Sequence, residues 1–332
     1  MIRKIFISIV WVWGLALSAY GQDPNFTQFY ASSLYLNPAF TGSTEQFRIA
    51  SVYRNQWVGL PQSYAHNQAS FDYNLLNWNS GIGVMVTNDR IAELAYQATS
   101  LNVSYSYAVP LREEWVMRLG LQGGYTYKST NFNRLVFGDA IARGGGGSGE
   151  AFGSESKGSL DFSTGFLIYN SRFWAGMGLF HLNRPNQGLG EVSDHLPIRY
   201  TIHMGGKLPI RQKQEVWVSP AILFQQQAQF SQLDFGVNLS YQAIIAGVWY
   251  RGLPVGNETS KFNKSAISGL LGLHVQNFTV GYSYDHAVGG IHGLTGASHE
   301  ITLVFEPPAT LSFLKKAKDK RFVQCPAFYS QR

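Results

Sequence analysis

Along much of this chain, apolar residues alternate one by one with small or polar residues. Leu101, Val103, Tyr105 and Tyr107 interleave with Ser100, Asn102, Ser104 and Ser106, and Leu160, Phe162, Phe166 and Ile168 with Ser159, Asp161, Ser163 and Gly165. The same holds for Leu233, Phe235, Val237, Leu239 and Tyr241 against Asp234, Gly236, Asn238 and Ser240, and for Phe278, Val280, Tyr282 and Tyr284 against Asn277, Thr279, Gly281, Ser283 and Asp285. Side chains of a strand point alternately to opposite faces, so a period of two marks strands with a different medium on each side. Lipid on one face, with water or small side chains on the other, predicts a transmembrane antiparallel β-barrel. A soluble β-sandwich also alternates, but Trp57, Trp78, Trp115, Trp174, Trp217, Trp249, Tyr127 and Tyr250 fall near strand ends. There the headgroup layers accept rings that are apolar with a polar tip.

Segments of suitable length and alternation number about fourteen, each near the 9 to 11 residues that a tilted strand needs to cross a bilayer. Their cores are residues 46–57, 66–76, 80–88, 95–108, 115–129, 159–170, 173–181, 197–210, 215–225, 229–241, 243–251, 264–274, 277–286 and 298–306. The connectors alternate in length. Tight ones such as Asn77 to Asn79 and Gln242 alternate with longer ones such as residues 58–65, 130–158, 182–196 and 252–263; the short connector at Gln226 to Ala228 breaks the rule. Outer-membrane barrels keep short turns in the periplasm and long loops outside, which predicts both termini in the periplasm.

The ends of the chain complete this picture. Residues 1–21 carry Arg3 and Lys4, an apolar run from Ile5 to Leu17, and Ala19 and Gly21, the pattern of a signal peptide cleaved before Gln22. No later apolar run reaches about 18 residues, so the spans are strands rather than helices. The organisation expected is a signal at 1–21, a periplasmic strap or plug at 22–45, a barrel at 46–306 and a basic periplasmic tail at 307–332. The net charge of +6 resides mostly in that tail, which carries +5 through Lys315, Lys316, Lys318, Lys320, Arg321 and Arg332 against Asp319. A general nucleic-acid binder is therefore not expected. The tail lysines and Arg321 are candidate contacts for an acidic or peptidoglycan-linked periplasmic partner.

Enzyme chemistry finds no support in the motifs. The run Gly144 to Gly147 lacks the Lys-Ser or Lys-Thr of a phosphate-binding loop and reads as a flexible loop, so no cofactor is expected. The histidines form no helix-spaced pair with an acid, and no metal is expected; only His286, His292 and His299 flank one outer loop. Ser298, His299 and Glu300 are consecutive in a strand and cannot converge as a triad. The lone Cys325 has no internal disulfide partner and no base in view, which predicts a structural or partner-contacting role. The alternation also predicts that Leu239→Arg blocks assembly whereas Asn238→Arg does not.

One element is more specific. Between the signal and the first strand lie Gln22-Asp23-Pro24-Asn25-Phe26-Thr27-Gln28-Phe29-Tyr30 and Leu34-Tyr35-Leu36-Asn37-Pro38-Ala39-Phe40-Thr41-Gly42. With Tyr53-Arg54-Asn55-Gln56-Trp57, Gly176 to His181, Arg184-Pro185, Gly281-Tyr282-Ser283-Tyr284-Asp285 and Ser298-His299-Glu300-Ile301, the chain resembles the PorP/SprF family of outer-membrane proteins from the type IX secretion and gliding apparatus of Bacteroidetes. The resemblance implies a non-enzymatic barrel in outer-membrane lipid. It implies work alongside other type IX components in exporting or retaining surface proteins, often a large secreted adhesin with a type B C-terminal sorting domain. It marks Asn37, Pro38, Gly42, Arg54, Asn55, Trp57, Tyr284, Asp285, His299 and Glu300 as family-motif positions and candidate plug or partner contacts. A passive porin or small-molecule transporter is the competing reading, because a fold does not fix a function. The Asn37-Pro38 step favours extended backbone and Gly42 a turn, as a strap along the periplasmic rim or a plug in the lumen would need.

Overall fold

A computed structural model describes residues 23–60, 63–91, 96–111, 114–132, 141–142, 153–190, 193–211, 216–252, 266–288, 296–307 and 323–327. The expected signal segment, the Gly144 to Gly147 run and the tail residues Lys315 to Arg321 lie outside these.

The alternating segments form fourteen antiparallel strands: β1 (Phe47–Gln56), β2 (Tyr64–Leu75), β3 (Ser80–Ile91), β4 (Tyr96–Pro110), β5 (Val116–Asn131), β6 (Ser154–Tyr169), β7 (Phe173–Phe180), β8, β9 (Val216–Gln227), β10 (Phe230–Tyr241), β11 (Ile244–Arg251), β12 (Ala266–Val275), β13 (Phe278–Ala287) and β14 (Ser298–Phe305). Strand β8 comes in two pieces, Arg199–Gly206 and Leu208–Arg211, both paired with β9 and separated at Lys207, where Gly206 and Pro209 flank the break. Each strand pairs with its sequence neighbours, and β14 pairs with β1 to close the barrel. Closure removes both sheet edges, the condition for a sheet to sit in hydrocarbon. The tight β9–β10 turn at Ala228 and Gln229 is retained, with Ala228 at φ 51°.

The alternating faces are sorted as the pattern requires. Leu101, Val103, Leu121, Leu160, Val237, Leu271 and Val280 point outward and are exposed, whereas Ser104, Ser106, Ser163, Asn238 and Ser283 are buried inward. Most strand aromatics among the described residues follow this rule, but Tyr169, Phe180 and two tryptophans do not. Trp78 stands at the rim, but Trp174 and Trp249, expected in the headgroup belts, face inward and are 5% and 2% exposed. They occupy the inward register of β7 and β11, and an apolar partner waits for them inside.

That partner is the chain's own beginning. Residues 23–46 are almost wholly buried and touch the inward faces of strands around the whole circumference. A single segment reaches all these walls only from within the lumen. Asp23 lies against Gln227, His181 and Arg199 at the mouth carrying the long connectors, and Gly42 to Gln46 lie against Asp72 and Asn74 at the opposite mouth. The segment therefore crosses the barrel and does not run along one rim. Asp23 and the end of β14 lie at opposite mouths. At the short-connector mouth Val323 to Ala327 fold back beneath the segment. Cys325 is buried against the Phe40, Leu167 and Tyr169 cluster, and its backbone amide lies 3.5 Å from the Ser43 carbonyl.

Candidate functional site: the luminal segment and its anchors

Three sets of contacts hold the segment. The uppermost begins at Asp23. His181, just past β7, has Nε2 2.7 Å from Asp23 Oδ2 and Nδ1 2.7 Å from Asp161 Oδ2, and Arg199 Nε lies 3.3 Å from the same Asp23 oxygen. Burial alone would lower the His181 pKa, but the charge of Asp23 and the hydrogen bonds to Asp161 and Asp23 outweigh it and raise it to about 9. Burial works against the Asp23 carboxylate, yet His181 and Arg199 hold its pKa well below the usual range. The pair is therefore doubly charged at neutral pH. Arg199 also lies over the rings of Tyr35 and Phe180, at 4.4 and 4.2 Å, and donates to the Tyr35 carbonyl.

The second set is a buried ionic cluster around Thr27 and Gln28. Arg54 donates through Nη1 to Glu300 Oε2 at 2.9 Å and through Nη2 to Asp285 Oδ2 at 2.6 Å; Arg251 Nη1 donates to the same Asp285 oxygen at 2.7 Å. Arg251 Nε lies 3.6 Å from Asp234, whose oxygens accept from Gln232 Nε2. Into this frame the segment inserts its backbone. The amides of Thr27 and Gln28 donate to the two Glu300 oxygens at 2.9 and 2.8 Å. The Thr27 hydroxyl donates to Asp285 at 2.7 Å and accepts from Arg54 and Arg251 at 3.1 and 3.0 Å, which uses its whole capacity. Buried charges persist only when paired and hydrogen-bonded, and here the strap completes what the strands leave open.

The third set seats the Asn-Pro element. After a single helical turn, α1 (Ser33–Leu36), Asn37 is extended at φ −163° and ψ 122°, and its Oδ1 caps the following 3₁₀ turn by accepting from the Ala39 amide at 2.8 Å. Asn37 Nδ2 donates to the Phe166 carbonyl at 2.8 Å and lies 3.0 Å from His203 Nε2. Gly120 and Gly165 let this turn approach the wall, since a Cβ on either would stand 2.3 Å from the Ala39 nitrogen or 1.9 Å from Asn37 Oδ1. Gly42 adopts φ +63° and donates its amide to Asp72 at 2.8 Å, while Arg118 and Ser106 donate to the Thr41 carbonyl. Between these anchors Phe29 meets Trp249 edge-on at 5.2 Å, Phe40 meets Trp174 at 6.0 Å, and Leu167, Leu223 and Tyr169 complete an apolar cluster.

The motif positions thus divide by face. Arg54, Asp285 and Glu300 converge on the second set, and Asn37, Pro38 and Gly42 build the third. Their strand neighbours point elsewhere: Tyr284 is exposed on the lipid face, and His299 contacts the Tyr282 hydroxyl at 2.8 Å and the Tyr284 ring. Asn55 is half-buried opposite His299, and Trp57 turns the chain at φ 62° after β1. His286 faces outward, away from the ionic cluster, and His292 lies outside the described residues. Thr27, Gln28 and His181 stood only inside the quoted motif runs, and Arg251, Asp234, Arg199 and His203 were not marked as candidate contacts from sequence. The signal for the charged ones was present, since inward charges on strands require partners. Asn238, expected to tolerate arginine, is 4% exposed and accepts from Trp249 Nε1 at 3.0 Å, so that expectation is corrected. Burial pushes the Cys325 thiol up to about 12, which keeps it protonated. Among the described residues no cluster of His, Cys, Asp or Glu is arranged to hold a metal ion.

The sequence model of the family described as Type IX secretion system membrane protein PorP/SprF matches residues 18–305. No curated protein matches the chain. Among solved structures it is similar to BamA from Haemophilus ducreyi lacking POTRA domains 1–3, with 10% identity over 78% of this chain and 69% of that one and a TM-score of 0.42. It is also similar to a Pseudomonas aeruginosa FadL homologue, with 9% identity over 83% and 94% and a TM-score of 0.46. A third is the CymD monoaromatic hydrocarbon channel, with 12% identity over 82% and 91% and a TM-score of 0.44.

Proposed function

The chain belongs to the PorP/SprF family of type IX secretion system membrane proteins, and on that premise we propose that it supports export or surface retention of adhesin-type proteins as a permanently filled barrel. Its partners on this reading are other components of the secretion apparatus and a large secreted adhesin bearing a type B C-terminal sorting domain, met at the long-connector mouth outside the cell. The basic tail with Lys315, Lys316, Lys318, Lys320 and Arg321 then serves as the periplasmic contact.

The observation that carries this reading is the filled lumen, which buries an apolar cluster beside its polar anchors. A water-filled channel has a polar lumen, whereas here Leu167, Trp174, Leu223 and Trp249 point inward and are covered by Phe29, Leu36 and Phe40. Withdrawing the segment would expose that wall to water, so the filled lumen supports a scaffold over a solute conduit. The test is the surface proteome of a strain lacking the gene against its parent. Loss of one adhesin-like protein is expected for a dedicated partner, and loss of many secreted proteins for a core component. An unchanged surface proteome would overturn the reading.

A further inference from the structure

From the path of the luminal segment we infer that the mature amino terminus is displayed at the cell surface, threaded through the barrel, while the carboxyl-terminal end stays on the periplasmic side. The inference is independent of which protein is exported.

Strand β1 starts at the short-connector mouth, because Phe47 pairs with Tyr73 at the end of β2, close to the Leu76–Trp78 turn. Twenty-four residues earlier, Asp23 is fixed at the other mouth, and each of its contacts belongs to that end. Its backbone amide donates to Gln227, the last residue of β9, at 2.9 Å; its carboxylate meets His181, just beyond β7, and Arg199, the first residue of β8. Asn25 donates to Gln232 near the start of β10, and Thr27 meets Arg54, Arg251, Asp285 and Glu300, all in the halves of their strands nearest the long connectors. The descent is equally fixed, through Asn37 on His203 and Phe166 to Thr41 on Ser106 and Arg118. With the cleavage before Gln22 that the sequence predicts, one residue is left beyond Asp23, a reach of about 3.8 Å, too short to return through a lumen that the segment itself fills. Long connectors face outward in outer-membrane barrels, so that mouth is the outer one.

One consequence follows from the geometry. A surface partner that grips residues 22–25 also pulls directly on Thr27 and hence on the Arg54, Arg251, Asp285 and Glu300 cluster, without entering the barrel.

The test places one epitope per strain in the full chain: between Gln22 and Asp23, between Asn77 and Trp78 in the β2–β3 turn, or after Arg332. Outer-membrane fractionation and heat-modifiable migration first establish that each barrel has formed. Antibody binding to intact cells is expected for the first alone, with the other two detected only after permeabilisation. Detection of the first epitope only after permeabilisation, or of the first and the Asn77 epitopes on the same side, would overturn the inference. A second readout avoids insertions: Asn25→Cys and Asn77→Cys, each in a Cys325→Ala chain, treated with a membrane-impermeant maleimide. Labelling of Asn25→Cys but not Asn77→Cys in intact cells is expected, and the reverse order overturns the inference.

Discussion

Glu300 is fully buried, and its carboxylate is shared between Arg54 and two backbone amides of the luminal segment. Removing one member of such a set leaves the others charged and unpaired, which costs about 3 to 5 kcal/mol. Glu300→Ala is therefore expected to lower stability by that amount in guanidinium unfolding of the refolded barrel in micelles, with Arg54→Ala similar and the double variant well short of additive. Additive losses would mean that the two residues act separately. His181 makes a second, pH-dependent prediction. Its folded pKa of about 9 lies above its ordinary 6.5, so its contribution is full below pH 6.5 and is lost as pH rises through about 9. Asp23, held low, contributes above its ordinary range and is lost only in acid. Wild type should exceed His181→Gln by on the order of 2 to 3 kcal/mol at pH 6, and the gap should close by pH 10. A gap that does not change with pH would show that His181 acts through packing alone.

At the scale of the strand, what matters is which face a residue occupies. Leu101 is 51% exposed on the lipid side of β4, and its neighbour Ser100 faces the lumen beside Thr126. An arginine facing mid-membrane lipid costs about 2 to 4 kcal/mol, whereas one in the upper lumen keeps access to water and to polar neighbours. Leu101→Arg should strongly reduce the heat-modifiable barrel recovered from the outer membrane, and Ser100→Arg should leave most of it. Equal recovery of the two would contradict the assignment of faces. The comparison belongs on β4 rather than on β10, because Asn238 is already engaged by Trp249.

For the whole molecule, the luminal segment replaces the water that a porin would hold and acts as the barrel's core. Its apolar residues meet strand residues far away in sequence, so the core forms only when strands, segment and the Val323 to Ala327 return meet together. Deleting residues 24–42 is therefore expected to abolish the folded barrel rather than to open it. Heat-modifiable migration should disappear, and reconstituted material should give no discrete conductance in planar bilayers. A stable, conducting barrel would show that the segment is a removable plug on a self-sufficient wall.

Fold class, strand number and the two faces are legible in the residue pattern alone, because a period of two is local and each residue reports the medium it meets. The sequence also marked Asn37, Pro38 and Gly42, whose backbone preferences act within a few residues. The course of the amino-terminal segment and the role of the motif residues along it emerge only from the folded barrel. Arg54 and Glu300 are separated by nearly the whole barrel in sequence and become opposite neighbours only through the β14–β1 register. Thr27 and Asp23 find their partners only once the barrel surrounds them. Trp174 and Trp249 fit the membrane belt by position and type, and only the presence of Phe29 and Phe40 inside shows why they turn inward. Burial and charge pairing depend on what lies across the lumen, and a local pattern carries no record of that.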